Sequence, residues 1–279
     1  MSNDILSSVL TFIKESNLPL RYPNVIRYSK AYDGKFNTQW SSHVRVIENQ
    51  LADQTVLSTL ILFTAMDVFI DCLQPNIEGE NFDKRYKSFQ TNSDDFRVIV
   101  KEVFRILTLM RNTIVHRRSQ TKIRGNVYSW GDKSKPKYME CTYDGILYLN
   151  TLTVFLIEYW TNENRYSLSM IGTYYEKLRS EIIFYVDKFG STLDSISPPV
   201  KLNLLRRYRN DVALTDADNS SGSFKVDRMV IHPEENAIDE FYVTWNGMHY
   251  LVPGEILGSE SSIKFSTLPE WEFPKNKFY

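Results

Sequence analysis

Apolar residues recur with a helical period through the middle of the chain and with a period nearer two towards its end. Residues 4–15 read as a short amphipathic helix, capped by Asn3 or Asp4 and stopped near Asn17 and Pro19. Residues 20–39 read as irregular, and from about Ser41 the pattern turns helical. Residues 55–74 are apolar almost all round, as in the central helix of a bundle, and Pro75 and Gly79 end them. The next helix starts at the acidic cap Ser93-Asp94-Asp95 and runs to about Ser119. Its core stripe is Phe96, Ile99, Val103, Leu107, Met110 and Ile114, at steps of three and four. Gly125, Gly131 and Pro136 break the pattern over 121–143, and helices resume at about 144–160 and 169–189.

After Gly190 the texture changes. Ser197-Pro198-Pro199 and residues 216–223 are linker-like, whereas Phe224 to His232, Phe241 to Trp245 and His249 to Val252 lean towards strand. Asn246-Gly247 between the last two is a strong hairpin signal. Leu204 to Arg209 is a basic stretch, equally a solvated face of two helical turns, and Trp271, Phe273 and Tyr279 read as packing anchors. The expected architecture is mainly α, a four- to five-helix bundle over 41–190. A helix and irregular segment over 1–40 precede it. A small β-rich C-terminal appendage over 191–279 follows, open to completion by residues 1–40.

Composition narrows function only a little. A net charge of −1 argues neither for nor against nucleic acid, so only local patches speak. Cys72 and Cys141 lack metal spacing and read as reduced thiols. The acids are scattered, and His43, His232 and His249 lack ligand spacing, so no metal or cofactor is expected. Met1 to Leu6 has no basic leader, and the apolar run Val56–Ile70 is short and interrupted by Ser58, Thr59, Thr64 and Asp67. A soluble cytoplasmic protein with no membrane partner is the expectation.

The chemistry-bearing segment is Arg111-Asn112-Thr113-Ile114-Val115-His116, at the end of the long helix. At 100° per residue, Asn112 and His116 fall together with Lys101 and Arg105, opposite the apolar stripe. Arg111 points to another flank, so it meets His116 best across a dimer interface or on a substrate lying along the helix end. Histidine exchanges a proton near neutral pH, and arginine is a fixed cation for a phosphate oxygen. Blander roles stand beside these: Arg111 pairing with Asp67 or Asp71, and His116 capping its helix's carbonyls. Asp67 and Asp71 share a face at i, i+4 and read first as partners in a helix–helix salt bridge to Arg111 or Arg105. Residues 117–138 carry Arg117, Arg118, Lys122, Arg124, Lys133, Lys135 and Lys137 against Asp132 alone, with Tyr128, Trp130 and Tyr138 interleaved. Cations for phosphates and aromatics for unpaired bases suggest an RNA-gripping flap. The alternative is a solvated hairpin whose Val127, Tyr128 and Trp130 pack onto the bundle.

The segment from Arg111 to His116 resembles the signature of the HEPN superfamily: an arginine, four to six intervening residues and a histidine, here with a polar Asn112 after the arginine. Its place near the C-terminal end of a long helix, after an apolar helix carrying Asp67, is similar too; the resemblance covers about 41–190. It implies a HEPN-like bundle and a metal-independent endoribonuclease of toxin or phage-defence type, cutting single-stranded RNA or tRNA loops. By that resemblance two subunits form one composite site, with His116 of each as acid and base and Arg111 facing the phosphorane. Asn112 would orient His116 or the phosphate, Asp67 would be a supporting acid, and Arg105 would join the flap cations in binding RNA. An antitoxin or regulatory partner fits the same resemblance. Some members carry a modifiable tyrosine two residues after the histidine, where this chain has Arg118, which favours a self-contained ribonuclease. The competing implication is a non-catalytic HEPN adaptor that binds RNA, a nucleotide or a protein.

Overall fold

A computed structural model of the chain describes residues 2–16, 18–23, 25–30, 36–41, 55–89, 94–161, 168–198, 200–204, 207–212, 217–218, 222–225, 238–257 and 262–272. In chain order these form α1 (Ser2–Glu15), β1 (Val25–Lys30), β2 (Phe36–Ser41), α2 (Thr55–Leu73), α3 (Phe82–Ser88) and α4 (Asp95–His116). Next come β3 (Thr121–Arg124), β4 (Val127–Gly131), β5 (Tyr138–Thr142), α5 (Tyr143–Trp160), α6 (Leu168–Glu181) and β6 (Ile182–Val186). The remainder holds β7 (Arg207–Val212), β8 (Ala217–Asp218), β9 (Ser223–Lys225), β10 (Ile238–Trp245), β11 (Met248–Pro253) and β12 (Ser262–Lys264). The chain divides into two compact units, discontinuous in sequence: Met1–Arg21, Val46–Asn162 and Ile171–Pro198 form the first. Tyr22–Arg45, Glu163–Met170 and Pro199–Tyr279 form the second.

The first unit is organised around α4. Asp94 caps it, its Oδ1 accepting from the backbone N–H of Phe96 at 3.0 Å, which satisfies a donor the helix cannot. The stripe Phe96, Ile99, Val103, Leu107, Met110 and Ile114 is buried throughout. Phe63 stacks on Phe104 and Phe69 meets Phe96 edge-on, so α2 runs antiparallel to α4. By length and composition α2 is apolar enough to cross a membrane, yet its Leu62, Met66, Phe69 and Ile70 are fully buried within this unit. An antiparallel sheet, ordered β3-β4-β5-β6, lies beside the helices. Trp130, Met139, Cys141 and Tyr185 point to its inner face and are 5 % exposed or less. Each large side chain so buried contributes about 1.5–3 kcal/mol of transfer free energy.

The second unit holds a mixed five-stranded sheet, ordered β11-β10-β7-β1-β2, and a three-stranded one, β12-β9-β8. Strand β7 is central, parallel to both β1 and β10. Its Arg207 is buried and pairs with Glu240 at 2.9 Å and Glu255 at 2.8 Å. Asn246 and Gly247, both at positive φ, close the β10–β11 hairpin in the left-handed conformation that this dipeptide tolerates.

A mainly α bundle with a small β-rich appendage is therefore not what the chain forms. The described residues carry six α-helices and twelve strands in three sheets, an α/β mixture. Residues 20–39, read as irregular, supply β1 and most of β2, with Ile26 opposite Trp40 in an antiparallel pair. The break at 121–143 is three strands. The expected helix over 169–189 ends at Glu181, because Ile-Ile-Phe-Tyr-Val is a β-branched and aromatic run that pairs with β5. Of the basic stretch Leu204 to Arg209, Arg207 to Arg209 belong to β7 and not to a helical face, and residues 205–206 lie outside the described residues. Within the expected strand Phe224 to His232, β9 covers Phe224 and Lys225; residues 226–232, like Phe273 and Tyr279, lie outside the described residues. Trp271 is buried.

Candidate functional site

Helix α4 carries its polar side into a cleft of about 750 Å3 in the first unit. Arg105, Thr108, Asn112 and His116 line it from that helix, each three or four residues from the next. The opposite walls come from α3, the β4–β5 turn and the turn after β6. Asn81 Oδ1 caps α3 by accepting from the N–H of Lys84 at 3.1 Å, which sets the short helix against α4. Lys84 and Lys87 then stand one turn apart on the cleft wall. Lys137 enters from the β4–β5 turn and Lys188 from the turn after β6.

Several of these cations are committed elsewhere. Lys84 pairs with Glu80 at 2.7 Å, and Lys188 pairs with Asp83. Among the described residues, Lys87, Arg117, Lys137 and His116 are exposed to the cleft without a recorded side-chain partner. Phe82, in tilted and edge-on contact with Tyr86, Phe104 and Phe189, forms an apolar patch in the wall. The cleft thus combines unpaired cations, one proton-transfer group and an apolar patch, the set a nucleic-acid phosphate and its base require.

Arg105 is not one of the gripping cations. It is 2 % exposed, and all five of its N–H groups are used. Nε and Nη2 donate to Asp187 at 2.8 and 2.6 Å, and Nη1 donates to Glu102 at 3.0 Å. The carbonyls of Thr192 and Gly190 accept at 3.1 and 3.0 Å. Burial would raise the Asp187 carboxyl, but the Arg105 hydrogen bonds and the Phe189 N–H outweigh it and hold it below the usual range. Burial dominates at Glu102 and pushes that carboxyl up despite Arg105. Arg105 ties α4 to the end of β6 and so fixes the back of the cleft.

Arg111 and His116 do not meet within the chain. The Arg111 guanidinium lies 5.5 Å over the Phe63 ring, on the α2 side, and is absent from the cleft. It reaches the site only through Asn112, whose Oδ1 accepts from Arg111 Nη1 at 2.9 Å. That bond assigns the amide, leaving Nδ2 of Asn112 as the donor available to the cleft. Asp67 and Asp71 pair with neither Arg111 nor Arg105; both bind Arg85 of α3, which is 4 % exposed. Asp67 is thereby a helix tie between α2 and α3, not an acid beside His116.

The expected flap is a sheet that distributes its residues between two faces. Arg117 and Lys137 reach the cleft. Lys122, Arg124 and Lys133 line the outer face of the sheet. Lys135 is exposed in the β4–β5 turn, and the side chain of Arg118 lies outside the described set. Trp130 is fully buried and Tyr128 stacks between it and Tyr143, so neither is an open stacking platform. Lys84, Lys87 and Lys188 escaped the sequence reading. The signal for the first two was there, an Asn81 cap followed by basic residues one turn apart, but nothing local ties them to His116.

Comparison of the chain with protein-family profiles, curated proteins and solved structures finds no match in any of the three.

Proposed function

We propose that the chain is a cytoplasmic, metal-independent endoribonuclease of HEPN type, acting on single-stranded RNA or tRNA loops in a toxin or phage-defence role. The observation that carries this is the placement of His116 and Asn112 in one cleft with Lys87, Arg117 and Lys137. In the reaction the ribose 2′-oxygen forms a bond to phosphorus and the bond to the 5′-oxygen breaks. His116 takes the 2′-proton, and a protonated acid returns one to the departing 5′-oxygen, leaving a 2′,3′-cyclic phosphate and a 5′-hydroxyl. The described cleft holds one histidine, so His116 of a second copy supplies the acid in a homodimer. Arg117 and Lys137 neutralise the phosphorane, and Asn112 Nδ2 donates to it. Arg111 acts through Asn112 as a positioning residue.

A non-catalytic module that binds RNA in the same cleft is favoured by one observation, the absence of Arg111 from that cleft. Both readings are tested by incubating fluorescent single-stranded RNA and tRNA with the protein in excess chelator, alongside His116→Ala, Asn112→Ala and Arg111→Ala. The nuclease reading expects cyclic-phosphate products that vanish with His116→Ala. Cleavage surviving that substitution, or RNA bound but never cut by the unaltered chain, refutes it.

A further inference from the structure

The outer face of the four-stranded sheet is the strongest feature that this function leaves unused. Pairing places Lys122 opposite Ser129, Ser129 opposite Glu140 and Glu140 opposite Phe184, so these four side chains form one row across all four strands. Three strand spacings make that row about 14 Å long. Phe184 is 39 % exposed although large and aromatic, with the Tyr138 ring at 5.7 Å and Lys133 Nζ at 5.6 Å from its centroid. Lys122, Arg124 and Lys133 line a second hollow of about 400 Å3 on this face. The two acids nearby are engaged: Glu140 accepts from the Tyr138 hydroxyl and pairs with Lys133 at 3.8 Å, and Asp132 accepts from Ser134. Lys122 and Arg124 are exposed; Lys122 acts on the Asp132 carboxylate through space, but neither side chain makes a hydrogen bond or salt bridge among the described residues.

The two hollows share one residue, Gly131. It sits at φ +99°, and a Cβ there would lie 2.3 Å from the Lys137 carbonyl oxygen, so the β4–β5 turn folds back tightly at that point. On one side of the turn Lys137 faces the His116 cleft; on the other Lys133 faces the outer hollow. Cations therefore line both hollows on either side of Gly131, with the Asp132 carboxylate beside it on the outer one.

From this geometry we infer that the outer sheet face is an exosite for the single-stranded RNA segment flanking the one held in the cleft. Phosphates lie against Lys122, Arg124 and Lys133, and a base stacks on Phe184. The inference rests on the RNA reading of the cleft and adds a footprint to it: affinity grows with the length of strand beyond the cleft. A cleft alone would bind short and long strands alike.

The test measures anisotropy of fluorescein-labelled oligouridine of about 5 and about 16 nucleotides. It compares the full chain with Lys122→Gln/Arg124→Gln/Lys133→Gln and with Phe184→Ala. The expected result is that the triple variant loses about tenfold or more in affinity for the long strand and none for the short one. Its slope of log affinity against log salt falls by about 2, from three lost phosphate contacts. Phe184→Ala weakens the long strand at unchanged salt slope. All four positions are partly or fully exposed, and a thermal melt of each variant checks that it folds; a misfolded triple variant leaves Phe184→Ala and the salt slope of the unaltered chain as the deciding measurements. Equal affinity of the unaltered chain for both lengths, or equal losses at both lengths in the variants, overturns the exosite. Length-dependent binding without cleavage would sink the nuclease reading while leaving the exosite standing.

Discussion

Replacing Arg105 by methionine separates two roles that one residue cannot hold together, buried tie and RNA contact. Methionine keeps most of the stem's volume and removes the cation. Five hydrogen bonds disappear, two of them to Asp187 and one to Glu102, whose side chain is fully buried. Breaking a buried pair by removing one partner costs about 3–5 kcal/mol, mostly because the abandoned carboxylates stay out of water. For a unit of this size that lowers the melting midpoint by about 10 °C. A denaturant titration followed by calorimetry gives the free-energy difference directly.

The same network sets how that difference varies with pH. Asp187 is held below its ordinary value, so its contribution is present above the unfolded carboxyl value of about 3.9 and is lost as pH falls through the folded value. Glu102 runs the other way: burial raises it, so its ionisation costs stability as pH climbs past the unfolded value. Without Arg105 both carboxylates are liabilities at neutral pH and harmless once protonated. The deficit of Arg105→Met is therefore largest near pH 7 and shrinks below about pH 4. A deficit under about 1 kcal/mol at pH 7, together with a lost salt-dependent share of RNA affinity, would refute the tie and return Arg105 to the binding surface.

Two further perturbations test the walls of the cleft. Asp67→Asn/Asp71→Asn leaves Arg85 buried without a carboxylate; with Asp67 38 % exposed and so partly screened, the expected cost is about 2 kcal/mol in a urea titration. A fall in RNA cleavage at unchanged stability would instead make Asp67 a supporting acid of the site. Gly131→Ala combines a left-handed backbone with a Cβ 2.3 Å from the Lys137 oxygen. A loss of about 2–3 kcal/mol and weaker binding of both short and long RNA are expected, and an unaltered melt would contradict the tight turn.

What could be read from the chain, and what could not, divides by the range of the interaction that decides each element. The α4 stripe and its Asp94 cap are local, as is Asn246-Gly247, and all three stand in the structure as the sequence reading has them. Ile182 to Val186 is a continuous apolar run, which fits a buried helix end as well as a strand until β5, some forty residues earlier, is seen to pair with it. Arg207 looks solvated because its neighbours are basic; the glutamates that let it be buried lie at 240 and 255. The helical wheel places Arg105 on the polar side of α4, correctly, but cannot show that Asp187 covers that side. His116 is legible because its helix ends there, whereas Lys84, Lys87 and Lys188 reach the cleft only through the packing of α3 and the turn after β6.

The distance between Arg111 and the cleft bears most on how the site works. If the phosphorane needed Arg111 itself, one chain could not supply it, since the guanidinium rests on Phe63 and faces α2. The cleft already holds cations of its own, among them Arg117 and Lys137, at the end of α4 and in the β4–β5 turn. On the ribonuclease reading proposed above, these cations would neutralise the phosphorane without Arg111, whose one bond towards the site is to the Asn112 amide. Under the same proposal, with Arg111 positioning and later cations neutralising, a second copy would be needed only to bring a second histidine. On that proposal the acid, not the cation, is what the cleft lacks among the described residues of one chain.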